Sequence, residues 1–155
     1  MRHDDERWMR EALSEARLCL RGTDNNSDDV PIGAVVVFEG RIIARAHNEV
    51  VLHSDATLHA ELIAIRVALA TLNRPRLDGS TLYVTLEPCP MCAGALWLSR
   101  IDRIVFGAHD AKAGACGSLF DIPRDPRLNH RPQLKGGILE AECAQLLSTF
   151  FQYRR

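Results

Sequence analysis

The sequence predicts a three-layer α/β/α fold around a central mixed five-stranded sheet, formed by residues 1–155 as a single domain. Three observations carry this reading. A β-branched apolar run from Ile32 to Phe38 (IGAVVVF) turns at Glu39-Gly40 and returns from Arg41 to Ala46, the pattern of an antiparallel hairpin. Beyond it, strand-like and helix-like runs alternate, and strand-helix-strand units pair in parallel with helices laid on the sheet faces. The chain has 155 residues, 46% hydrophobic and 25% charged, which is enough length and apolar content for one buried core.

The elements follow in order. Trp8, Met9, Ala12, Leu13, Ala16, Cys19 and Leu20 recur at helical spacing, so a first helix is expected from Asp5 to Leu20, with Asp4 or Asp5 as its N-cap. Gly22 ends it, and TDNNSDD from Thr23 to Asp29 reads as a polar loop. After the hairpin come Asn48 and a loop to Thr57. A second helix is expected over Leu58 to Leu72, closed by Asn73 with Pro75 beyond it. Ser80 to Thr85 (STLYVT) is the third strand, and a helix opens at the paired cysteines and reaches Ser99. Ile101 to Phe106 (IDRIVF) is the fourth strand. A Gly/Ala-rich loop, GAHDAKAGACGS, and an irregular segment holding Pro123 and Pro126 lead to a short fifth strand over Gln133 to Ile138. The last helix runs from Leu139 to Tyr153.

Composition narrows the function classes. No apolar run approaches the roughly 20 residues of a membrane helix. The start, MRHDDERWMREALSEAR, lacks the apolar block of a signal peptide, so a cytoplasmic protein without a membrane partner is expected. A net charge of −1 does not by itself announce a nucleic-acid binder. The positive charge is seventeen Arg against two Lys, which suits bidentate phosphate contacts and equally reflects genomic base composition. Arg124, Arg127, His130, Arg131 and Lys135 gather in one late segment, and Arg154 and Arg155 end the chain. That distribution fits either a local partner or a solvated surface.

Five scattered cysteines do not suggest a disulfide framework. Cys19 and Cys143 fall in helical apolar patterns and read as core residues, and Cys116 is assigned no role. Only Cys89 and Cys92 are paired by spacing, in EPCPMC. Two thiolates three apart at a helix start lie on one side of its first turn, where the free N–H groups favour the thiolate form. Alone, the pair fits a redox couple, half of a structural zinc site, a catalytic zinc or chance. A four-cysteine structural site has no second pair to complete it. His59-Ala60-Glu61, earlier in the chain, offers a third ligand, although a histidine at a helix start is ordinarily a surface or capping residue. Residues two apart do not face each other on a regular helix, so His59 and Glu61 reach one point only if the helix begins at His59, with Asp55 and Thr57 as capping residues. Three protein ligands leave one tetrahedral position open to water, the mark of a catalytic zinc, and Glu61 is then a proton carrier close to the metal but not a ligand.

H-x-E followed by P-C-x-x-C is the signature of the zinc-dependent nucleoside and nucleobase deaminases. The chain further resembles the bacterial tRNA-specific adenosine deaminases of the cytidine/deoxycytidylate deaminase superfamily. The resemblance rests on Pro31 to Val35, Asn48, His59 to Glu61, Thr81 to Ala95 (TLYVTLEPCPMCAGA), Ser99 to Ile101, Val105 to Leu119 (VFGAHDAKAGACGSL), Asn129-His130-Arg131 and the C-terminal GIL, EC, LL, FF and RR. It implies a cytidine-deaminase-like fold, one Zn²⁺ per subunit on His59, Cys89 and Cys92, and hydrolytic deamination of adenosine to inosine at the wobble position of the ACG anticodon of an arginine tRNA. It also implies Glu61 as the catalytic proton shuttle, Asn48 and the backbone at Ala60 as holders of a flipped base, and Asp110 against the ribose of the neighbouring nucleotide. The resemblance likewise implies Asn129 near the base, Phe150 and the terminal arginines against the anticodon stem-loop, and a homodimer. From the residues alone, Asn48 also reads as a strand terminator, Asp110 as a turn residue, and Phe150 and Phe151 as core positions of which only one faces RNA. The sequence departs from the family at Ala56 and Leu58, where D-P-T-A is usual before the histidine, and at His109, where arginine is common. The competing readings are a zinc-dependent deaminase of a free nucleobase or nucleoside of guanine or cytosine type, and a zinc-stabilised binding module without activity.

Overall fold

The computed structural model describes residues 2–20 and 28–153, with the side chains of residues 2 and 3 excepted. Its elements are α1 (Arg2–Arg17), a 3-10 turn (Leu18–Leu20), β1 (Gly33–Phe38), β2 (Arg41–His47), α2 (Ala60–Leu72), β3 (Ser80–Leu86), α3 (Pro90–Leu98), β4 (Arg103–Ala108), β5 (Gln133–Lys135) and α4 (Glu140–Gln152). The sheet order is β2-β1-β3-β4-β5. β1 is antiparallel to both β2 and β3, while β3, β4 and β5 run parallel, so the sheet is mixed as expected.

Side-chain alternation along the strands builds two cores. Ala34, Val36, Leu82, Val84, Ile104 and Phe106 face one side and pack with Ala60, Ala64, Ile65 and Ala68 of α2 and Ala93 and Leu96 of α3. Val35, Val37, Tyr83 and Val105 face the other side and pack with Met9, Ala12 and Leu13 of α1 and Cys143 of α4. The central strands are therefore apolar on both faces, which is why they read as continuous rather than alternating hydrophobic runs. α1 crosses the sheet so closely that a Cβ at Gly33 would run into the Ala12 and Ala16 backbone. Among the described residues, no helix is long and apolar enough to cross a membrane.

The structure corrects several details. Asp5 is not an N-cap: α1 begins earlier, and Asp5 lies inside it, 1% exposed. Its carboxylate accepts two hydrogen bonds from Arg103 (2.6 and 2.7 Å) and one from the Tyr83 hydroxyl (2.8 Å), with Lys135 Nζ 3.8 Å away. Burial opposes ionisation of Asp5, but these donors outweigh it and hold the carboxyl below its usual range. β4 starts at Arg103 rather than Ile101 because Arg100, at φ 62°, still belongs to the turn that ends α3. β5 stops at Lys135, after which the chain turns towards α4. Gly22, residues 23–27 of the polar loop, Arg154 and Arg155 lie outside the described residues.

Candidate active site

Two helix starts meet to form the site. His59 is the residue immediately before α2, in extended conformation (φ −73°, ψ 150°), and Cys89 stands in the same relation to α3 (φ −76°, ψ 174°). Neither side chain caps its own helix, so both are available to a shared point between the helices. Pro90 opens α3, and Cys92 follows in its first turn. Asp55 and Thr57 do not cap α2: Asp55 accepts hydrogen bonds from the Thr57 N–H and hydroxyl (2.9 and 2.7 Å), closing a separate turn upstream. The requirement that α2 begin at His59 is nevertheless met.

His59 Nδ1 lies 3.5 Å from Cys89 Sγ and 3.6 Å from Cys92 Sγ. Tetrahedral zinc with Zn–S of about 2.3 Å and Zn–N of about 2.0–2.1 Å requires an N···S edge of roughly 3.6 Å. The three ligand atoms lie within 4.8 Å of one another, so the residues fit one zinc per subunit. A hydrogen bond from Cys92, with His59 adding to it, lowers the Cys89 thiol, while the same hydrogen bond and burial raise Cys92, so without a cation the pair shares one proton, and a metal binds both as thiolates. Glu61 is 4% exposed and is not one of the three ligands. Burial pushes its carboxyl up to about 7, near the pH at which a group exchanges protons most usefully.

Beside these residues lies a cleft of about 360 Å³, within the roughly 300–1,000 Å³ of small-ligand sites. His59, Ala60, Glu61 and Cys89 line it together with Val30, Ile32, Val50 and Val51 from one side and Leu86, Asp110 and Ala113 from the other. Asn48 is also there, buried at the end of β2. Its Nδ2 donates to the Val30 carbonyl and its Oδ1 accepts from the Val50 N–H, both at 3.2 Å. Asn48 thus ends the strand and lines the cleft at once. Asp110 is likewise both a turn residue and a cleft residue, its Oδ1 accepting from the Lys112 and Ala113 N–H groups (3.0 and 3.2 Å).

Two of the expected residues do not line this cleft. One is Asn129. The segment that carries it returns to the N-terminal end of β4, where Arg100 Nη1 donates to the Asn129 carbonyl at 3.5 Å and His130 Nε2 bonds the Ile101 carbonyl at 2.7 Å. Phe150 is 7% exposed, because it shares the inward face of α4 with Cys143, seven residues before it. Its neighbour Phe151, edge-on at 5.2 Å, is 52% exposed and takes the outward position instead. The basic cluster is partly neutralised locally: Arg124 pairs with Asp121 at 2.8 Å and Arg127 with Asp125 at 2.7 Å.

Two buried carboxylates at the cleft escape a reading of the sequence. Asp29 accepts from the Val51 and Leu52 N–H groups (2.6 and 3.1 Å) and pins one wall. Glu87 accepts from the N–H groups of Asp110, Cys116 and Ser118, each at 3.0 Å, and from the Ser118 hydroxyl, and pins the other. Burial opposes ionisation of Glu87, but these four donors hold its carboxyl below the usual range. Their partners lie 22 to 31 residues away along the chain, beyond any local spacing rule.

The cytidine and deoxycytidylate deaminase zinc-binding region matches residues 2–108. A tRNA-specific adenosine deaminase of Bacillus subtilis is 47% identical over 151 residues, covering 97% of this chain and 91% of that protein. One of Haemophilus influenzae is 48% identical over 152 residues, covering 97% and 85%. Among solved structures, one from work on A-to-I editing by tRNA:A34 deaminases superposes with a TM-score of 0.84 at 44% identity, covering 91% of this chain and 99% of that one. A guanine deaminase of Bacillus subtilis superposes with a TM-score of 0.63 at 32% identity, covering 96% and 92%. With the metal-ligand geometry and near-complete coverage in agreement, the chain belongs to the cytidine/deoxycytidylate deaminase superfamily and, within it, to the tRNA-specific adenosine deaminases.

Proposed function

We propose that the chain, as one zinc-dependent deaminase domain, converts adenosine to inosine at the wobble position of a tRNA anticodon, that of the ACG arginine tRNA. The observation that carries this is Glu61: a buried carboxylate, not a ligand, beside a His-Cys-Cys zinc site in a cleft large enough for a base. The reaction replaces the amine on adenine C6 with oxygen from water and releases ammonia. Zinc, when bound, supplies a Lewis acid that activates water near neutral pH. His59, Cys89 and Cys92 hold it. Glu61 accepts the proton released by the water, delivers it to adenine N1, and carries a second proton to the departing amine. Asn48 and the Ala60 backbone hold the flipped base against the cleft floor, and flipping takes the base out of its stack to where Glu61 can reach it. Asp110 stands at the wall where the neighbouring nucleotide's ribose lies. Phe151 is the α4 ring that faces the anticodon loop.

Incubation of the zinc-loaded protein with an ACG anticodon stem-loop, followed by nuclease digestion and nucleoside mass spectrometry, tests this reading. Inosine is expected at the wobble position and at no other adenosine. Turnover of free guanine or cytosine with none of the RNA supports the free-nucleobase reading instead.

The protein acts as a homodimer in the cytoplasm, where tRNA is available. Supporting the dimer, Met91 and Leu98 lie seven apart on one face of α3, with Leu98 68% exposed. Leu119 and Phe120 are exposed in the loop that the Ala115 N–H ties to the Pro88 carbonyl at the start of α3. Apolar surface of this kind is what subunit association removes from water. Sedimentation at micromolar concentration is expected to show a dimer, and a monomer there contradicts this part of the proposal.

A further inference from the structure

We propose that Glu87 is a positioning residue that sets the Asp110 wall of the cleft against the zinc-binding turn, and thereby sets how tightly the nucleotide beside the reacting base is held. The substrate half of this statement rests on the reading given above; the structural half does not.

Residues 110–118 belong to neither a helix nor a strand, so their backbone donors need other partners. Glu87 supplies the partner for three of them, at Asp110, Cys116 and Ser118. It lies directly after β3 and two residues before Cys89, and its own N–H is fixed by the Ala108 carbonyl at 2.9 Å. One carboxylate oxygen takes the Asp110 N–H and the Ser118 hydroxyl, and the other takes the Cys116 and Ser118 N–H groups. Four donors occupy one buried carboxylate, and no cation is among them. The fit is close on the loop side as well, because a Cβ at Gly114 would collide with the Glu87 carboxyl and the Asp110 carbonyl. The loop is therefore wrapped around a group carried by the same turn as Cys89. Asp110 has its N–H held by Glu87 and its carboxylate folded onto the Lys112 and Ala113 N–H groups, so its place on the cleft wall is set by Glu87.

Glutamine at position 87 keeps the shape but turns an amide N–H₂ either to the Cys116 and Ser118 N–H groups or to the Asp110 N–H and the Ser118 hydroxyl, so at least one buried N–H loses its acceptor. Three measurements test the consequence. For Glu87→Gln, KM for the anticodon stem-loop is expected to rise about tenfold, with kcat within about threefold of wild type and one zinc per chain, a split that marks lost binding common to ground and transition states. In an Asp110→Ala background the same substitution is expected to add less than about twofold, the non-additivity of groups acting through one contact. Hydrogen exchange of the Asp110, Cys116 and Ser118 amides is expected to quicken at least tenfold, with α3 unchanged. Ser118→Ala, which removes only the hydroxyl donor, is expected to show the same KM-selective change to a smaller degree, and serves if Glu87→Gln does not fold. Loss of zinc and kcat with KM unchanged overturns the proposal, as does an equal KM effect with and without Asp110, or unaltered amide exchange. The exchange arm needs no substrate, so a failure of the tRNA reading, seen as no inosine from the wild-type protein, is distinguishable from a failure of the Glu87 assignment.

Discussion

Glu61→Gln is expected to lower turnover of the anticodon stem-loop by about 10²–10⁴-fold, the contribution typical of a positioned acid-base group. Glutamine preserves the volume and the hydrogen-bonding shape of glutamate but neither accepts nor delivers a proton under working conditions. Glu61 is the only one of the four central residues that is not a candidate metal ligand, so zinc content is expected to stay at one per chain. Thermal stability is expected to stay level or rise, because burial disfavours the charged form of Glu61 and glutamine carries no charge. This combination separates a proton shuttle from a structural residue. Substantial retained turnover, or parallel loss of zinc and activity, contradicts the assignment.

Asp5→Ala is expected to destabilise the protein by about 3–5 kcal/mol, the effect of leaving a buried ion pair half removed. It strips Arg103 of a bidentate partner and Tyr83 of its acceptor, both of them anchors between α1 and the sheet. At this chain length the melting temperature is expected to drop by roughly 10 °C. The pH dependence has a definite sign. Because the Asp5 carboxyl lies below its ordinary value of 3.8 in the folded protein, its contribution is fully present above about that pH and is lost as pH falls through the lowered value. Asp5→Asn is therefore expected to lose less stability than wild type between pH 5 and pH 2, on the order of the shift being measured. Release of zinc in acid affects both proteins alike and cancels in the difference. Parallel acid profiles for the two proteins contradict the role of Asp5.

The elements that sequence reveals here are those held by local periodicity. The β-branched run at 32–38, the Glu39-Gly40 turn and the helical spacing of α1 place the hairpin and its cover without help from distant residues. Cys89, Cys92, His59 and Glu61 are legible because few chemistries need those side chains at those spacings. What sequence does not show is how His59 and Cys89 become available: each precedes its helix without capping it. Asp5 reads locally as a cap because acids are common there, and only the fold brings Arg103 to it from 98 residues away. Glu87 and Asp29 have the same character, each serving a wall contributed by another part of the chain. That Phe150 turns inward and Phe151 outward depends on the rotational phase of α4 against the sheet, a difference of about 100° between neighbours. Where Asn129 lies could not be read from the sequence, because the irregular path of the 121–131 segment has no period.

The function assigned to this cleft is most directly tested by presenting the zinc-loaded protein with equimolar ACG stem-loop and free guanine in one reaction, and measuring inosine and xanthine together. The expected result is inosine at the wobble position with xanthine at the level of the Glu61→Gln control. Xanthine formation dependent on Glu61, with the stem-loop adenosine intact, would contradict it.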